Sequence, residues 1–441
     1  MKTFALLSAL VSFVSAAIAA APAKPNVVVI LVDDFGYECV GANGGTSYRT
    51  PHIDRLAADG MRFERCFVQP LCTPTRVQLM TGIYNIRNYI NFGNMDPEAE
   101  TFAHHFRRAG YATGIAGKWQ LGSDLGLPKK LGFDENCLWQ HTRRPPRFAN
   151  PGLEYDGVER DFSNGEYGPD LVQDWVLDFI RRKKDGPWLV YYPMILTHDP
   201  FQPVPGGPGW DPKAIGERVN RDVKYFADMV AHTDKHVGQL TAHLEQLGLR
   251  ENTLFVFVGD NGTGVSVTSR MGDRVVPGGK GKMTAAGMHV PLIVSWPGKI
   301  PAGRVNADLI DSTDFLPTLL AAAGLPATKT AIDGRSFAPQ LRGEPGTPRE
   351  WYYSWYSRNG DLKSAREFAA TQRYKLYRTG EFYDTTSDPE EKRPLPMAAL
   401  ATEAAAAAKK LQGVLAPFTH ARPEKYRSIA PAAAGKAGLD E

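Results

Sequence analysis

The fold is set by residues 26–34, which read NVVVILVDD. Residues 27–32 are all apolar, with no alternation between apolar and polar positions. A strand reads this way when both of its faces are buried, as in a parallel sheet covered by helices on both sides. Similar runs recur at residues 188–192, 253–258 and 290–294. The sequence therefore predicts several buried strands at the centre of one large sheet.

Helical patterns lie between these runs. Residues 225–247 place apolar side chains mostly at steps of three and four, and Gly248 then ends the pattern. A second helical pattern covers residues 314–324. Strands that alternate with helices are typical of a mostly parallel sheet. We therefore predict an α/β fold over residues 26–345, in which a large, mostly parallel sheet is sandwiched by helices.

The pattern changes near residue 348. An aromatic segment at 351–356 precedes a hairpin pattern at 373–383, which turns at Thr379-Gly380. An alanine-rich helical pattern follows at about 398–415. These features predict a smaller C-terminal α+β subdomain, with an antiparallel sheet and a helix, over residues 346–441.

The composition is that of a globular protein with a large core. Of 441 residues, 43% are hydrophobic and 22% are charged, which excludes a disordered chain. Lys and Arg number 51 against 48 Asp and Glu, so the formal net charge is +3, and we expect no nucleic-acid partner. Four cysteines at irregular spacing are too few for a disulfide scaffold or a CxxC zinc site.

The N-terminal residues 1–19 are predicted to be a signal peptide. Lys2 precedes an apolar stretch at 4–18, and Ala17-Ile18-Ala19 fits a cleavage site. The alternative is a membrane anchor, because the stretch is near the minimum spanning length, but its many Ser and Ala residues favour cleavage. We expect a secreted or periplasmic protein without a membrane span in its mature form. Such a compartment permits disulfides between the cysteines, and the sequence does not decide whether they form.

Oxygen-bearing side chains follow two of the predicted strands. Asp33-Asp34 ends the first and Asp260-Asn261 follows the run at 253–258. Ligands in open α/β sheets sit at the carboxyl ends of strands, and three carboxylates meeting there require a hard cation such as Ca²⁺ or Mg²⁺. The alternative for each pair is a polar turn. Asn261-Gly262-Thr263 also matches a glycosylation sequon.

The segment at 71–82 carries a further candidate site. Pro74 suits the first turn of a helix running to Thr81, so Cys72 lies just before the helix N-terminus, where anions are favoured. Arg76 adds a fork-shaped cation for a tetrahedral oxyanion. These residues indicate a reactive cysteine or an anion site, and the alternative is a buried structural cysteine.

Together these motifs resemble those of the formylglycine-dependent type I sulfatases, in the alkaline-phosphatase-like superfamily. Residues 72–76, CTPTR, match the C-x-P-x-R signature, and residues 110–119, GYATGIAGKW, resemble the second signature. The similarity spans about 26–400, in the order of the family. It also includes the motifs Asp33-Asp34, Thr197-His198, Asp260-Asn261-Gly262, Gly279-Lys280-Gly281 and residues 314–318.

The resemblance implies a set of roles. Cys72 would be converted to formylglycine by a formylglycine-generating enzyme, and the hydrated aldehyde would be the nucleophile. One calcium ion would be held by Asp33, Asp34, Asp260, Asn261 and the modified Cys72. The sulfate would be bound by Arg76, Lys118 and Lys280, and His198 would protonate the leaving alcohol. For the two lysines the alternative is an ordinary surface position, and for His198 a structural hydrogen bond.

Three positions depart from the family pattern. Gln120 stands where the family has a histidine; it can bind the formylglycine hydrate but cannot take its proton. Ala285-Ala286-Gly287 replaces Glu-Gly-Gly, and His289 replaces a common arginine. The basic runs at 143–147 and 181–184 are expected to be solvated. The first lies in a predicted active-site loop, where the alternative is contact with an anionic substrate.

The leading prediction is a calcium-dependent sulfatase that hydrolyses a small-molecule or oligosaccharide sulfate ester. The predicted secretion suggests that the substrate is a sulfated polysaccharide or an oligosaccharide derived from one. Trp139 and Trp210 are candidates for stacking on a sugar ring. The alternatives are a phosphonate or phosphate ester hydrolase on the same scaffold and a non-catalytic glycan-binding relative.

Overall fold

A computed structural model describes residues 24–214 and 221–427 of the chain. The predicted signal peptide at 1–19 lies outside the described residues. Within them, no helix combines the length and apolar character needed to cross a membrane.

The strands and helices have the following bounds. The described residues form sixteen strands: β1 (Asn26–Val32), β2 (Met61–Phe67), β3 (Ala112–Gly117), β4 (Glu135–Trp139), β5 (Gly152–Tyr155), β6 (Val158–Asp161), β7 (Trp188–Pro193), β8 (Thr253–Gly259), β9 (Thr268–Met271), β10 (Arg274–Pro277), β11 (His289–Ser295), β12 (Arg304–Asp311), β13 (Tyr352–Tyr356), β14 (Arg366–Ala370), β15 (Tyr374–Tyr377) and β16 (Phe382–Asp384). They also form twelve α-helices: α1 (Pro51–Ala58), α2 (Cys72–Thr81), α3 (Asn85–Asn88), α4 (Phe102–Arg108), α5 (Leu127–Lys130), α6 (Gly168–Lys183), α7 (Phe226–Gln246), α8 (Ala285–Met288), α9 (Phe315–Ala322), α10 (Ala338–Leu341), α11 (Thr402–Leu415) and α12 (Glu424–Arg427).

Ten strands form the main sheet in the order β12-β2-β11-β8-β1-β7-β3-β4-β5-β6. The five neighbours from β8 to β4 run parallel, which confirms the predicted α/β fold class. The run at 290–294 forms β11, but it lies antiparallel between β8 and β2. An unbroken apolar run reports burial on both faces and not strand direction, so an antiparallel strand here agrees with the predicted, mostly parallel sheet.

The two faces of β1 belong to two separate cores. Val27, Val29 and Leu31 pack in a cluster that includes residues of α2, α4 and α9. The alternate residues, Val28 and Ile30 among them, pack with α1, α6 and α7. Because successive side chains of a strand point to opposite faces, this division explains why the run is apolar at every position.

A second sheet of four antiparallel strands, in the order β13-β14-β15-β16, forms the C-terminal region. The predicted hairpin forms between β15 and β16, and the alanine-rich helix is α11, which begins at Thr402. Ala404 and Leu411 of this helix belong to the same apolar cluster as Val27 of the main sheet. The subdomain boundary at residue 345 stays a prediction, because this core runs across it.

The four cysteines are free thiols, and all of them lie buried within the described ranges. Cys39, Cys66 and Cys137 are at most 1% exposed. The disulfides that the sequence left open therefore do not form between them in this fold.

Candidate active site

Four adjacent parallel strands carry the candidate residues at one edge of the sheet. Asp260 follows β8, Asp33 follows β1, His198 lies shortly after β7, and Lys118 follows β3. Cys72 begins α2, which follows β2, a strand that runs in the same direction. The sequence-based prediction named these residues, and the fold brings them together.

The two acidic pairs are joined by direct hydrogen bonds. The backbone N–H of Asp34 donates to Asp260 Oδ1 at 3.0 Å, and the Asn261 amide donates to Asp34 Oδ1 at 2.8 Å. Asp34 has a φ of 55°, in the left-handed region that is rare for residues other than glycine. The turn at Asp34 therefore aims its backbone at Asp260, and such local strain is typical of functional sites.

Three oxygens of this cluster accept no hydrogen bond from the described residues. They are Asp33 Oδ1, Asp33 Oδ2, which has only an ion-pair contact with Lys118, and Asn261 Oδ1, and both Asp33 and Asn261 are 0% exposed. Single ligand atoms of Asp33, Cys72 and Asp260 lie within 4.8 Å of one another. Since unpaired buried oxygens are costly, and oxygen ligands suit hard cations, this part of the cluster fits a Ca²⁺ ion.

Three cations neutralise the three carboxylates one for one. Lys118 Nζ lies 2.7 Å from Asp33 Oδ2, and Arg76 Nη2 donates to Asp260 Oδ2 at 2.9 Å. The ammonium of Lys280 donates to Asp34 Oδ2 at 2.9 Å. Each carboxyl group is therefore paired with its own cation although the cluster is almost wholly buried.

The carboxylates influence each other's protonation. Burial raises the pKa of Asp33, but the cations of Lys118 and Arg76 outweigh this effect and hold the pKa below its usual range. Burial and the charge of Asp33 raise the pKa of Asp260 to about 8. Two carboxylates so close together favour additional positive charge, as a bound divalent cation would supply.

Cys72 lies at the centre of these residues as the first residue of α2. Its Sγ donates a hydrogen bond to Gln120 Oε1 at 2.8 Å. Burial raises the pKa of the Cys72 thiol, so the unmodified residue is not a ready thiolate. A protonated thiol is a poor nucleophile, because the thiolate is the reactive form.

His198 contacts cations on both sides of its ring. Its Nε2 lies 2.8 Å from Lys280 Nζ, and its Nδ1 lies 3.1 Å from Arg147 Nη1. Burial, together with Lys118, Lys280 and Arg147, lowers the pKa of His198 well below its ordinary value. The imidazole is therefore held neutral, and its ring is fixed in place within this cluster.

Arg147 is the residue that the sequence-based prediction missed. The run at 143–147 was expected to be solvated, but Arg147 is 1% exposed, and its guanidinium lies 4.2 Å from the centre of the Trp139 ring. Trp139 itself is 5% exposed. This Trp139 face is therefore covered by Arg147 instead of being open for a sugar ring.

We expect Arg147→Met to lower kcat/KM on an aryl sulfate by about 10- to 100-fold, equivalent to about 1.4–2.8 kcal/mol of barrier. Methionine keeps apolar contact with Trp139 but removes the cation beside His198. Arg143→Met is the matched control, because that arginine lies in the same loop, is 54% exposed and pairs with Asp161. Equal kcat/KM values for the two variants would show that Arg147 has no role in the reaction.

The remaining departures from the family pattern are explained by packing. His289 stacks between Tyr37 and Phe67, with ring centroids 4.1 Å and 5.1 Å away. The α8 segment packs closely against the loop after Asn261. The approach is so close that a Cβ atom at Gly262 would lie 1.9 Å from the Ala286 carbonyl oxygen, so only glycine fits there. This close approach holds Asn261 in place, and the burial of Asn261 excludes it as a glycosylation site in the folded protein.

Comparison with known proteins identifies the family. A family model described as Sulfatase matches residues 25–325, and one described as N-sulphoglucosamine sulphohydrolase, C-terminal, matches residues 279–415. The first match covers more than half of the chain. The chain belongs to the sulfatase family and is a sulfuric ester hydrolase. The predicted family and enzyme class are thereby confirmed.

Individual relatives agree with this family. Human arylsulfatase A is 32% identical over 413 residues, which cover 83% of this chain and 77% of the relative. The N-acetylgalactosamine-6-sulfatase of Canis lupus familiaris is 32% identical over 376 residues, covering 76% of this chain and 69% of the relative.

Two solved structures share the fold. A protein in complex with its substrate D-glucosamine-2-N,6-O-disulfate has a TM-score of 0.73 at 22% identity, covering 92% of this chain and 99% of its own. The phosphonate monoester hydrolase of Agrobacterium radiobacter has a TM-score of 0.66 at 21% identity, covering 90% of this chain and 96% of its own.

Proposed function

We propose that this protein is a secreted, calcium-dependent sulfatase that uses a formylglycine derived from Cys72 to hydrolyse sulfate esters of carbohydrates. The observation that carries the proposal is the placement of Cys72 at the start of α2, beside Asp33 and Asp260, in a cluster whose Asp33 and Asn261 oxygens accept no hydrogen bond from the described residues. Secretion is supported by the sequence of residues 1–19 alone.

The calcium ion would be held by Asp33, Asp34, Asp260, Asn261 and the modified Cys72. All-oxygen ligation without histidine suits this ion better than zinc. When bound, the ion would polarise a sulfate oxygen and offset the charge of the carboxylates. The hydrated formylglycine would supply an oxygen nucleophile at neutral pH.

The other residues bind and orient the sulfate. Arg76, Lys118 and Lys280 each reach a carboxylate in this structure, so their donors already surround the position of Cys72. In the transition state they would stabilise negative charge on the sulfate oxygens. His198 is the proposed donor of the proton that the leaving alcohol needs. The negative charge of a bound sulfate ester would offset the cations of Lys280 and Arg147, and His198 would take up this proton in the substrate complex.

Gln120 lies where a proton acceptor is expected but has none to offer, and this leads to a prediction. Its amide can bind the hydrate but cannot accept a proton, so we expect Gln120→His to raise kcat about tenfold, or about 1.4 kcal/mol. The position has a φ of 51°, a region in which histidine is comparatively well tolerated. Steady-state kinetics on an aryl sulfate would measure this, with Gln120→Asn as a variant that also cannot titrate. An unchanged or lower kcat in Gln120→His would show that another group already serves as the base.

Sulfated carbohydrate is proposed as the substrate class from the relatives. One relative is named for a sulfated N-acetylgalactosamine, and one structure of the same fold holds a disulfated glucosamine. A panel of sulfated monosaccharides and oligosaccharides, with sulfate release as the measured quantity, would test this class and identify the position that is cleaved.

A phosphonate ester hydrolase is the second candidate, favoured by the shared fold of the Agrobacterium enzyme. Sulfate and phosphonate monoesters are both tetrahedral oxyanions that Arg76 and the two lysines can bind. The ratio of kcat/KM on an aryl sulfate to that on an aryl phosphonate decides between them, and we expect it to exceed one.

The direct test is mass spectrometry of the tryptic peptide that spans residues 66–76. Protein made in a host with the converting enzyme should carry formylglycine at Cys72, a loss of about 18 Da relative to cysteine. A peptide that keeps its thiol in such a host would overturn the proposed mechanism.

A further inference from the structure

A second cluster of metal-ligating side chains lies between α6 and α7, apart from the candidate active site. We propose that Asp170, His232 and His236 bind a divalent transition-metal ion, with Zn²⁺ as the representative of its class. None of the residues assigned to sulfate hydrolysis belongs to this cluster.

The backbone presents these three side chains to one point. His232 and His236 are four residues apart on α7 and therefore lie on the same face of that helix. Asp170 is in the first turn of α6. Its Oδ1 lies 2.6 Å from His232 Nε2 and 2.8 Å from His236 Nε2, so both rings already converge on one oxygen.

The burial of the cluster resembles that of a metal site with one open position. The two histidine side chains are 4% and 1% exposed, whereas the Asp170 side chain is 36% exposed. The protein therefore offers three ligands, and solvent reaches the carboxylate. Zinc commonly binds three protein ligands with water in the fourth position.

The distances require only a small adjustment. Zn–N and Zn–O bonds of about 2.0–2.2 Å place tetrahedral ligand atoms roughly 3.3 Å apart, so the carboxylate would move back by about 0.5 Å. The partial exposure of Asp170 leaves room for this movement, while the two buried rings stay fixed. In the absence of metal, the same contacts serve as hydrogen bonds between the helices.

The chemistry of the ligand atoms favours a transition-metal ion. In the metal-free contacts each Nε2 donates its hydrogen to Asp170 Oδ1, so binding of an ion at Nε2 would shift that hydrogen to Nδ1. Nitrogen ligands also separate this cluster from the all-oxygen site, because imidazole favours zinc and its neighbours over calcium.

The experiment is a metal titration of the untagged protein at millimolar Ca²⁺, which keeps the oxygen site filled. After dialysis against micromolar Zn²⁺, elemental analysis should find one zinc per chain, and the melting temperature should rise by several degrees. Co²⁺ in place of Zn²⁺ should give the visible absorption of a nitrogen- and oxygen-ligated ion. Protein that retains no zinc after dialysis would overturn the proposal.

Variants assign the binding to these residues. His236→Gln keeps a side-chain N–H donor for Asp170 but removes the imidazole, so zinc affinity should fall about 100-fold or more. His243→Gln is the matched control, because His243 lies on the same helix but contacts the Leu177 carbonyl, and its zinc binding should be unchanged. Should His236→Gln fail to fold, Asp170→Asn at the partly exposed position serves the same purpose. Zinc binding of normal affinity in either cluster variant would refute the assignment.

Discussion

Replacing Cys72 with alanine should abolish sulfate ester hydrolysis, lowering kcat by at least about three orders of magnitude. The reason is that the proposed nucleophile is made from this side chain, and none of its neighbours, Gln120 included, offers a replacement. Alanine removes only a buried sulfur, so α2 and the cluster of paired carboxyl groups and cations should remain. We expect Cys72→Ser to be equally inactive if the host does not convert serine. The measurement is kcat on an aryl sulfate, with circular dichroism to verify folding.

Cys66→Ala is the appropriate control for this prediction. Cys66 is also a fully buried cysteine, but it lies within β2 and not at the helix N-terminus. Its loss should lower stability by about 1 kcal/mol or more through the cavity, while kcat stays near that of the wild type. A Cys72→Ala protein that retained a tenth of the wild-type kcat would rule out the formylglycine mechanism.

Replacing Asp33 with asparagine should weaken calcium binding about tenfold or more and lower kcat by about 100-fold. The substitution keeps the shape of the side chain but removes one of the three buried carboxylates. In calcium-free buffer it also leaves the buried Lys118 ammonium without its partner, at a cost of about 3 kcal/mol of stability. Calorimetric titration with Ca²⁺, denaturant unfolding and kinetics over a range of Ca²⁺ concentrations would measure the three effects.

The kinetics separate weaker binding from lost chemistry. High Ca²⁺ should restore part of the kcat of Asp33→Asn if affinity is the main defect. Asp185→Asn, in the exposed turn before β7, provides a control for the general effect of losing one negative charge. If the calcium affinity of Asp33→Asn equalled that of Asp185→Asn, Asp33 would not be a calcium ligand, and any bound ion would lie at another site.

The central strands could be predicted because their burial on both faces is visible in a short stretch of sequence. Residues 27–32 are apolar throughout since both faces of β1 are covered, and the same reasoning found β7 and β8. Once these strands are taken as parallel neighbours, Asp33 and Asp260 must meet at one edge. The direction of β11 was not readable, because burial on both faces looks the same in either orientation. Short edge strands such as β6, whose side chains are mostly exposed, carry no such apolar run.

The parts of the site that escaped prediction depend on contacts between distant segments. Arg147 ends a run of basic residues that is indistinguishable from a solvated one until Trp139 and His198 are placed beside it. The cluster between α6 and α7 joins residues more than sixty positions apart, and only the spacing of its two histidines is visible in the sequence. Such sites become apparent only when the helices have been docked.

The position of β13 has a consequence for the timing of maturation. Tyr353 packs against Tyr84 just after α2, and Ser354 donates a hydrogen bond to Gln69 just before it, so this strand braces both ends of the helix that begins with Cys72. About 280 residues separate Cys72 from β13, and synthesis at about 5–20 residues per second takes roughly 15–55 s to produce them. The modification proposed for Cys72, which is wholly buried in the finished fold, therefore has a window of that length in which the nascent helix is still unbraced.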